Sequence, residues 1–218
     1  MKYRTLLCLG LAASLTLGCA FARGTPLGRA AARGDLATMK ALLDAGADPN
    51  AGGHFVPSPL ALAARAGRVD AMELLLARGA DPHRGSGVNG WTPLLHALHK
   101  NQIPAALRLA ATCTVPSREL DEALFMAAGY AQTEAVEALL ARGADPHRSH
   151  DNGETPLSVA TAGAFDIDYA YGECAAHTAT VKALLAAAPD LALSGEAGRK
   201  ARRAAEERGC ADLLALVR

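Results

Sequence analysis

The chain has 218 residues, and its 22 basic side chains balance its 22 acidic ones. Because this balance provides no bulk attraction to a phosphate backbone, it argues against a protein that binds nucleic acid. No segment beyond residue 22 is long and apolar enough to cross a membrane, and the length suffices for one domain with a continuous core.

The N-terminal segment has the pattern of a signal peptide. Lys2 and Arg4 precede an apolar stretch at 5–18, which is too short to span a bilayer as a stable helix. Residues 20–22 then read Ala-Phe-Ala, a small-x-small sequence of the kind that signal peptidase cleaves. We therefore predict a signal peptide over 1–22, export through the inner membrane of a bacterium, and a product in the periplasm.

A second cleavage site stays open as an alternative. The sequence Leu-Thr-Leu-Gly-Cys at 15–19 resembles a lipoprotein box, in which Cys19 would be acylated and become the mature N-terminus. That box usually has Leu three residues before the cysteine, where this chain has Thr16. The alternative product is an outer-membrane lipoprotein, and contact with a membrane is expected only if Cys19 is lipidated.

Two short phrases recur along the rest of the chain at a fixed period. The first phrase is Thr or Ser followed by Pro-Leu, and it occurs at 25–27, 58–60, 92–94 and 155–157. The second phrase is Gly-Ala-Asp-Pro, and it occurs at 46–49, 79–82 and 143–146. Since the two series advance together by about 33 residues or twice that length, they indicate an internal repeat.

Each phrase predicts a helix boundary. A Thr or Ser hydroxyl ahead of Pro caps a first helical turn, in which the missing proline N–H costs nothing. Small residues such as Ala30 and Ala31 then permit close helix stacking until Gly34 ends the first helix. A second helix with apolar residues at helical spacing ends at the Gly of Gly-Ala-Asp-Pro, because Asp-Pro prevents its continuation. The sequence therefore predicts one helix pair per period.

The two linked phrases resemble the ankyrin repeat, over about residues 25 to 218. The resemblance implies an all-α fold, an ankyrin-repeat solenoid of stacked helix-turn-helix units with short hairpin loops, and it implies protein recognition as the activity. The predicted repeats lie near 25–57, 58–90, 91–120, 121–153 and 154–194, followed by a C-terminal cap at 195–218.

Two departures from the repeat pattern stand out. The third repeat lacks Gly-Ala-Asp-Pro, and the fourth has Glu122-Ala123 where Thr-Pro is expected. In the fifth repeat, Leu184 and Leu185 come later than the spacing of the first repeat predicts. We therefore predict an inter-helix insertion at 165–176.

The sequence gives little reason to expect an enzyme. It contains no Gly-x-Ser-x-Gly turn, no His-Glu-x-x-His pair and no phosphate-binding loop. His96 and His99 lie one helical turn apart, but no third and fourth zinc ligand has a suitable spacing. His83 and His147 stand where the first repeat has Asn50, so we interpret them as turn residues. We predict no catalytic residue, no metal site and no cofactor.

The cysteines suggest one disulfide. Cleavage after residue 22 leaves Cys113, Cys174 and Cys210, and an oxidising compartment permits a bridge. In the solenoid implied by the resemblance, Cys174 and Cys210 both lie in inter-helix turns at one edge. We predict a bridge between these two residues and a buried free thiol at Cys113; the alternative is three unpaired thiols.

The family resemblance also locates candidate partner-binding residues. In proteins of this kind, partners contact the hairpin tips and the positions just before the inter-helix turn. The candidates at these places, which include the only Trp of the chain, are Arg33, Arg65, Trp91, His99, Lys100 and Tyr130. Trp, Tyr and Arg dominate interface energetics, and the basic residues favour a partner with an acidic surface. The alternative is that the basic side chains are merely solvated and Trp91 packs on a neighbouring hairpin.

A second candidate contact lies in the predicted insertion. Phe165, Tyr169 and Tyr171 cluster there in a chain with few aromatic residues, and long irregular insertions are often functional. The alternative is that these rings cover the end of the solenoid.

The predicted function is a periplasmic module that holds or inhibits a protein partner, as a toxin immunity protein or inhibitor, or as an accessory factor of an exported enzyme. The alternative is a structural lipoprotein anchored at Cys19. We expect a monomer that does not bind nucleic acid.

Overall fold

The computed structural model describes residues 24–112, 114–150, 153–163, 174–192 and 195–217. The predicted signal peptide, the acylation site at Cys19 and the rings of Phe165, Tyr169 and Tyr171 lie outside the described residues, as does Cys113. The chain forms two compact units that divide after Pro93.

The first unit contains two helix pairs. Its helices are α1 (Pro26–Arg33), α2 (Leu36–Asp44), α3 (Pro59–Arg65) and α4 (Val69–Ala77). The helices of each pair pack together, α1 packs on α3, and α2 packs on α4. Ala30, Ala31, Ala63 and Ala64 have no exposed surface, so the first helices approach closely through small side chains.

The second unit continues the same pattern and closes with a short helix. Its helices are α5 (Pro93–His99), α6 (Ile103–Thr112), α7 (Ser117–Gly129), α8 (Thr133–Ala141), α9 (Pro156–Ala162), α10 (Cys174–Ala187), α11 (Gly195–Arg208) and α12 (Ala211–Leu216). A short 3₁₀ turn, Pro189–Ala192, follows α10. First helices stack in the order α7, α9, α11, and second helices stack in the order α8, α10, α12. The predicted all-α class is confirmed.

The predicted helix starts follow from side-chain capping. Thr25 Oγ1 accepts a hydrogen bond from the amide of Gly28 at 2.9 Å, and Ser58 Oγ accepts one from Ala61 at 3.2 Å. At α9, Thr155 and Ser158 form a reciprocal capping box. Helices begin at the prolines that follow these residues, as predicted.

The Gly-Ala-Asp-Pro phrase builds one turn three times. The carboxylate of Asp48, Asp81 or Asp145 accepts a hydrogen bond from the amide two residues later, at 2.8 to 2.9 Å. These later residues are Asn50, His83 and His147. Because the turn uses their backbone amides, the structure agrees with their interpretation as turn residues.

Side chains also fix one loop against the next element within each unit. Asn50 accepts a hydrogen bond from the amide of Asp81 at 2.7 Å and donates one to the carbonyl of Gly79 at 3.0 Å. Asp121 accepts one from the amide of Asp145 at 2.9 Å. Among the described residues, the only bridge of strand type joins Ser86 to Trp91, so the predicted hairpins are loops without a sheet.

Two helices begin close to predicted boundaries, which stay predictions. α7 begins at Ser117, upstream of the predicted repeat start at 121, because Pro116 precedes the helix and Leu120 and Leu124 continue its buried face. α10 begins at Cys174, within the predicted insertion at 165–176. In its first turn, the hydroxyl of Thr178 donates to the carbonyl of Cys174 at 2.7 Å.

The turns between paired helices differ in the conformational energy that a positive φ value costs their residues. Gly34 and Gly67 have φ values of 73° and 66°, which glycine adopts without strain. The corresponding turns of the second unit use Asn101 and Ala131, with φ values of 54° and 53°. A left-handed conformation is unfavourable for alanine, so Ala131 stores strain.

Replacing Ala131 by Gly is expected to raise the free energy of unfolding by about 0.5 to 1 kcal/mol, because relief of the left-handed strain exceeds the added entropy of the unfolded chain. Urea denaturation measures the change. The control is Ala179→Gly, at an exposed position inside α10, which should lower stability by about 1 kcal/mol. A loss of stability in both variants would contradict the strain at Ala131.

Candidate protein-binding site

In the first unit, two candidate arginines lie at the ends of neighbouring helices. Arg33 and Arg65 are the last residues of α1 and α3, which pack together, and both side chains are exposed. A positive charge at a helix C-terminus also interacts favourably with the helix dipole. Stability measurements on variants therefore have to accompany any binding measurement at these residues.

A third arginine, which sequence analysis missed, lies beside this pair. Arg68 precedes α4, is exposed, and its Nε donates to the carbonyl of Ala32 at 3.4 Å. Arg33, Arg68 and Asp70 line a shallow pocket of about 340 Å³ at the inter-helix turns. The signal for Arg68 was its place directly after Gly67, whereas the family pattern directed attention only to positions before that glycine.

Trp91 is half-buried rather than fully exposed. Its carbonyl accepts a hydrogen bond from the amide of Ser86 at 3.0 Å, in the bridge that closes the loop before α5. The same loop is tied to the preceding one, because the amide of Gly87 donates to the carbonyl of Gly53 at 2.9 Å. Trp91 therefore lies on an ordered loop.

In the second unit, the structure brings two of the predicted residues into contact. His99 Nδ1 and Tyr130 Oη are hydrogen-bonded at 2.9 Å, and the ring centroids lie 5.9 Å apart. Both side chains are half-buried, as is the neighbouring Lys100. The pair presents one aromatic ring, one imidazole and an adjacent ammonium group.

A buried amide holds the turns beneath this pair. Gln132 Nε2 donates to the carbonyl of Leu98 at 2.7 Å and to Asn101 Oδ1 at 3.2 Å. The turn after α5 and the turn after α7 are thereby joined next to His99 and Tyr130. Sequence analysis missed Gln132, whose only signal was a polar residue at the N-cap of α8.

The structure joins Cys174 and Cys210 in a disulfide, the pair that the sequence analysis proposed. Their Cα atoms are 5.9 Å apart, within the range that a bridge requires. Cys174 is the first residue of α10, and the buried Cys210 is the N-cap of α12. The bridge therefore attaches the start of α10 to the C-terminal cap.

A buried histidine lies one turn after this bridge. His177 is 1% exposed, and its Nδ1–H donates to the carbonyl of Ala160 at 2.6 Å. Burial lowers its pKa from the ordinary value, the contact with the carbonyl partly opposes this, and the positive charge of Arg208 lowers the pKa further. His177 is thus held as a neutral structural side chain.

The protonation of His177 should make the fold less stable in acid. Because its pKa is lowered in the folded state, the unfolded chain binds the proton first; the stabilising contribution is present above about pH 6.5 and is lost as pH falls below it. We expect the free energy of unfolding to fall more steeply between about pH 6.5 and 5 in the wild type than in His177→Asn. Urea denaturation across this range tests it, and parallel curves would contradict the assignment.

Within the described residues, no group of three or more His, Cys, Asp and Glu side chains could hold a metal ion. No helix of the described part of the chain is long and apolar enough to span a bilayer. The candidate residues are thus polar and aromatic side chains on helix ends and loops.

Stacked helix pairs joined by repeated Asp turns define a helical-repeat protein. More specifically, the family model described as ankyrin repeats, in three copies, matches residues 27–118, so this part of the chain is similar to ankyrin repeats.

Comparison with solved structures supports the same fold. A crystal structure of an ankyrin repeat domain from Acinetobacter baumannii AYE superposes with a TM-score of 0.70 at 23% sequence identity, covering 88% of this chain and 95% of that one. None of the curated proteins that were compared matches the chain. Ankyrin repeats generally act as protein-interaction modules, and their fold is typical of binding rather than catalysis.

Proposed function

We propose that this chain is a protein-binding module of the bacterial periplasm that holds or inhibits a protein partner. The observation that carries the proposal is the character of the helix ends: exposed arginines at the ends of α1 and α3, and the half-buried His99–Tyr130 pair beside Lys100 at the end of α5. Arg and Tyr are among the residues that contribute most to interface energetics.

The basic side chains favour a partner with an acidic surface. Arg33, Arg65 and Arg68 are exposed near the inter-helix turns of the first unit, and Asp70 is the acidic residue of the pocket that Arg33 and Arg68 line. Such a charge excess increases the association rate with an acidic partner, and salt weakens the effect. We propose a toxin to be inhibited, or an exported enzyme to be assisted, as the class of partner.

Cross-linked capture from a periplasmic extract tests the proposal. The bait is the exported protein, compared with a variant that carries Arg33→Ala, Arg65→Ala and Lys100→Ala. We expect the wild type to capture one protein, and we expect the variant to bind it at least about tenfold more weakly. Capture should weaken as salt is raised, because exposed charges are screened.

A charge-matched control variant distinguishes the loss of specific contacts from the loss of net positive charge. It carries Lys40→Ala, Lys182→Ala and Arg199→Ala, three exposed basic residues on α2, α10 and α11. Equal loss of capture in both variants would indicate nonspecific charge attraction. Undiminished capture by the first variant would remove these residues from the site.

A separate measurement identifies the cleavage site and, with it, the location of the product. We propose cleavage after Ala22 and a periplasmic product, based on the pattern at 1–22. The intact mass of the purified protein distinguishes an N-terminus at Arg23 from an acylated N-terminus at Cys19. If the wild-type protein carries the additional mass of acyl chains and Cys19→Ser does not, the periplasmic proposal is wrong and the lipoprotein alternative holds.

A further inference from the structure

We infer that a separate pocket in the first unit, beside Phe55, binds a short acidic and apolar peptide segment of a partner protein. The inference extends the proposed function, because its occupant belongs to a protein partner. The pocket uses none of the residues at the helix ends discussed above.

The loop that carries Phe55 holds the ring outward. The amide of Gly53 donates to the carbonyl of Val56 at 2.8 Å, and the amide of Val56 donates back to the carbonyl of Gly53 at 3.3 Å. These reciprocal hydrogen bonds close a tight turn with Phe55 near its tip. The phenyl ring is 78% exposed and packs edge-on against His54, with centroids 4.6 Å apart.

A concave surface lies beside this ring. The pocket encloses about 480 Å³, the size range of a site for a small ligand or a few side chains. Pro26 at the start of α1 and Val56 of the loop supply further apolar lining. A single exposed apolar residue is ordinary, but an exposed aromatic ring beside an apolar pocket is the form of a binding hot spot.

The charge around the pocket indicates its occupant. Arg29 and His54 line it, and no described lining residue is acidic. One guanidinium nitrogen of Arg29 donates to the carbonyl of Gly24 at 2.7 Å, which positions the group at the pocket edge. Since a guanidinium group pairs well with carboxylates, the complementary segment carries an apolar side chain next to Asp or Glu.

Sequence analysis missed this site because Phe55 lies in a loop, where helical periodicity gives no signal. Two features of the sequence mark it in retrospect. Phe55 is one of only four phenylalanines in the chain, and it lies two residues after a Gly-Gly pair.

Nuclear magnetic resonance titration of the exported protein with defined peptides tests the inference. The probe is acetyl-Asp-Leu-Phe-Glu-amide, compared with acetyl-Lys-Leu-Phe-Lys-amide and acetyl-Asp-Gly-Gly-Glu-amide. We expect the first peptide to shift the amide signals of Gly53 and Val56 and to bind at least about tenfold more tightly than the other two.

Variants connect the shifts to the pocket. Phe55→Ala should weaken binding of the first peptide about tenfold and Arg29→Gln about fivefold, whereas Val88→Ala, at another exposed apolar residue, should leave binding unchanged. Equal binding of all three peptides, no binding, or binding unaffected by Phe55→Ala would overturn the inference.

The result of the peptide titration can be distinguished from the result of the capture experiment that tests the proposed function. Peptide binding needs no cellular partner, so failed capture from the periplasm would leave a positive titration intact. Conversely, capture that depends on Arg33, Arg65 and Lys100 would stand if the titration failed.

Discussion

Replacing both Cys174 and Cys210 by Ser is expected to lower the free energy of unfolding by about 4 kcal/mol, the cost estimated for releasing a closed loop of this length. The two residues are separated by 36 positions, so the bridge restricts a long part of the unfolded chain. In the folded state it attaches α12, a helix of only 6 residues, to α10. Urea denaturation of the oxidised wild type and of the double variant measures the loss.

Two controls accompany this measurement. Reductant should destabilise the wild type and leave the double variant unchanged, because only the wild type contains the bridge. Cys113→Ser should keep the response to reductant of the wild type. If the double variant and the wild type unfold at the same urea concentration, the two thiols are not joined in the folded protein.

The second large effect is expected for Leu124→Ala, which should lower the free energy of unfolding by about 3 kcal/mol through lost burial and a residual cavity. Leu124 has no exposed surface and lies on α7, which packs against both α8 and α9. The helix that loses these atoms thus packs against two other helices of the second unit. Thermal or urea denaturation provides the measurement.

Met126 on the same helix supplies the comparison. It is partly exposed, so Met126→Ala should cost about 1 kcal/mol, within the ordinary range for single substitutions. Equal losses for Leu124→Ala and Met126→Ala would mean that the buried face of α7 differs from the one described. This test is independent of any binding partner.

The parts of the fold that local chemistry determines were predictable from the sequence. Thr25 and Ser58 cap their helices as their position before proline predicts, and Gly34 ends α1 with a positive φ. Both effects depend on a few neighbouring residues. For this reason the repeat phrases sufficed to predict the helix pairs and the fold class.

Other parts depend on packing, which a repeat phrase does not encode. α7 starts at Ser117 because Leu120 continues its buried face, although no Thr-Pro phrase is present. Ala131 adopts a conformation that its residue type disfavours, because the turn is held by the helices on either side. Neither feature could be derived from local propensity.

The candidate site also combines features that follow from the local sequence with features that depend on packing. The family pattern selected His99 and Tyr130 separately, and their hydrogen bond depends on how α5 and α7 end. Phe55 was missed because loop position and exposure follow from the turn around Gly53. Side-chain identity could be read from the sequence, but the distance between side chains required the fold.

The hydrogen bonds that Asn50 donates to the carbonyl of Gly79 and accepts from the amide of Asp81 affect more than stability. Loops that are already fixed to each other lose little conformational freedom when a partner contacts them, so less of the interaction energy is spent on ordering. Asp121 gives the loop at Asp145 the same restraint in the second unit. Breaking either link should therefore weaken a partner's affinity through lost preorganisation, even where the partner touches neither Asn50 nor Asp121.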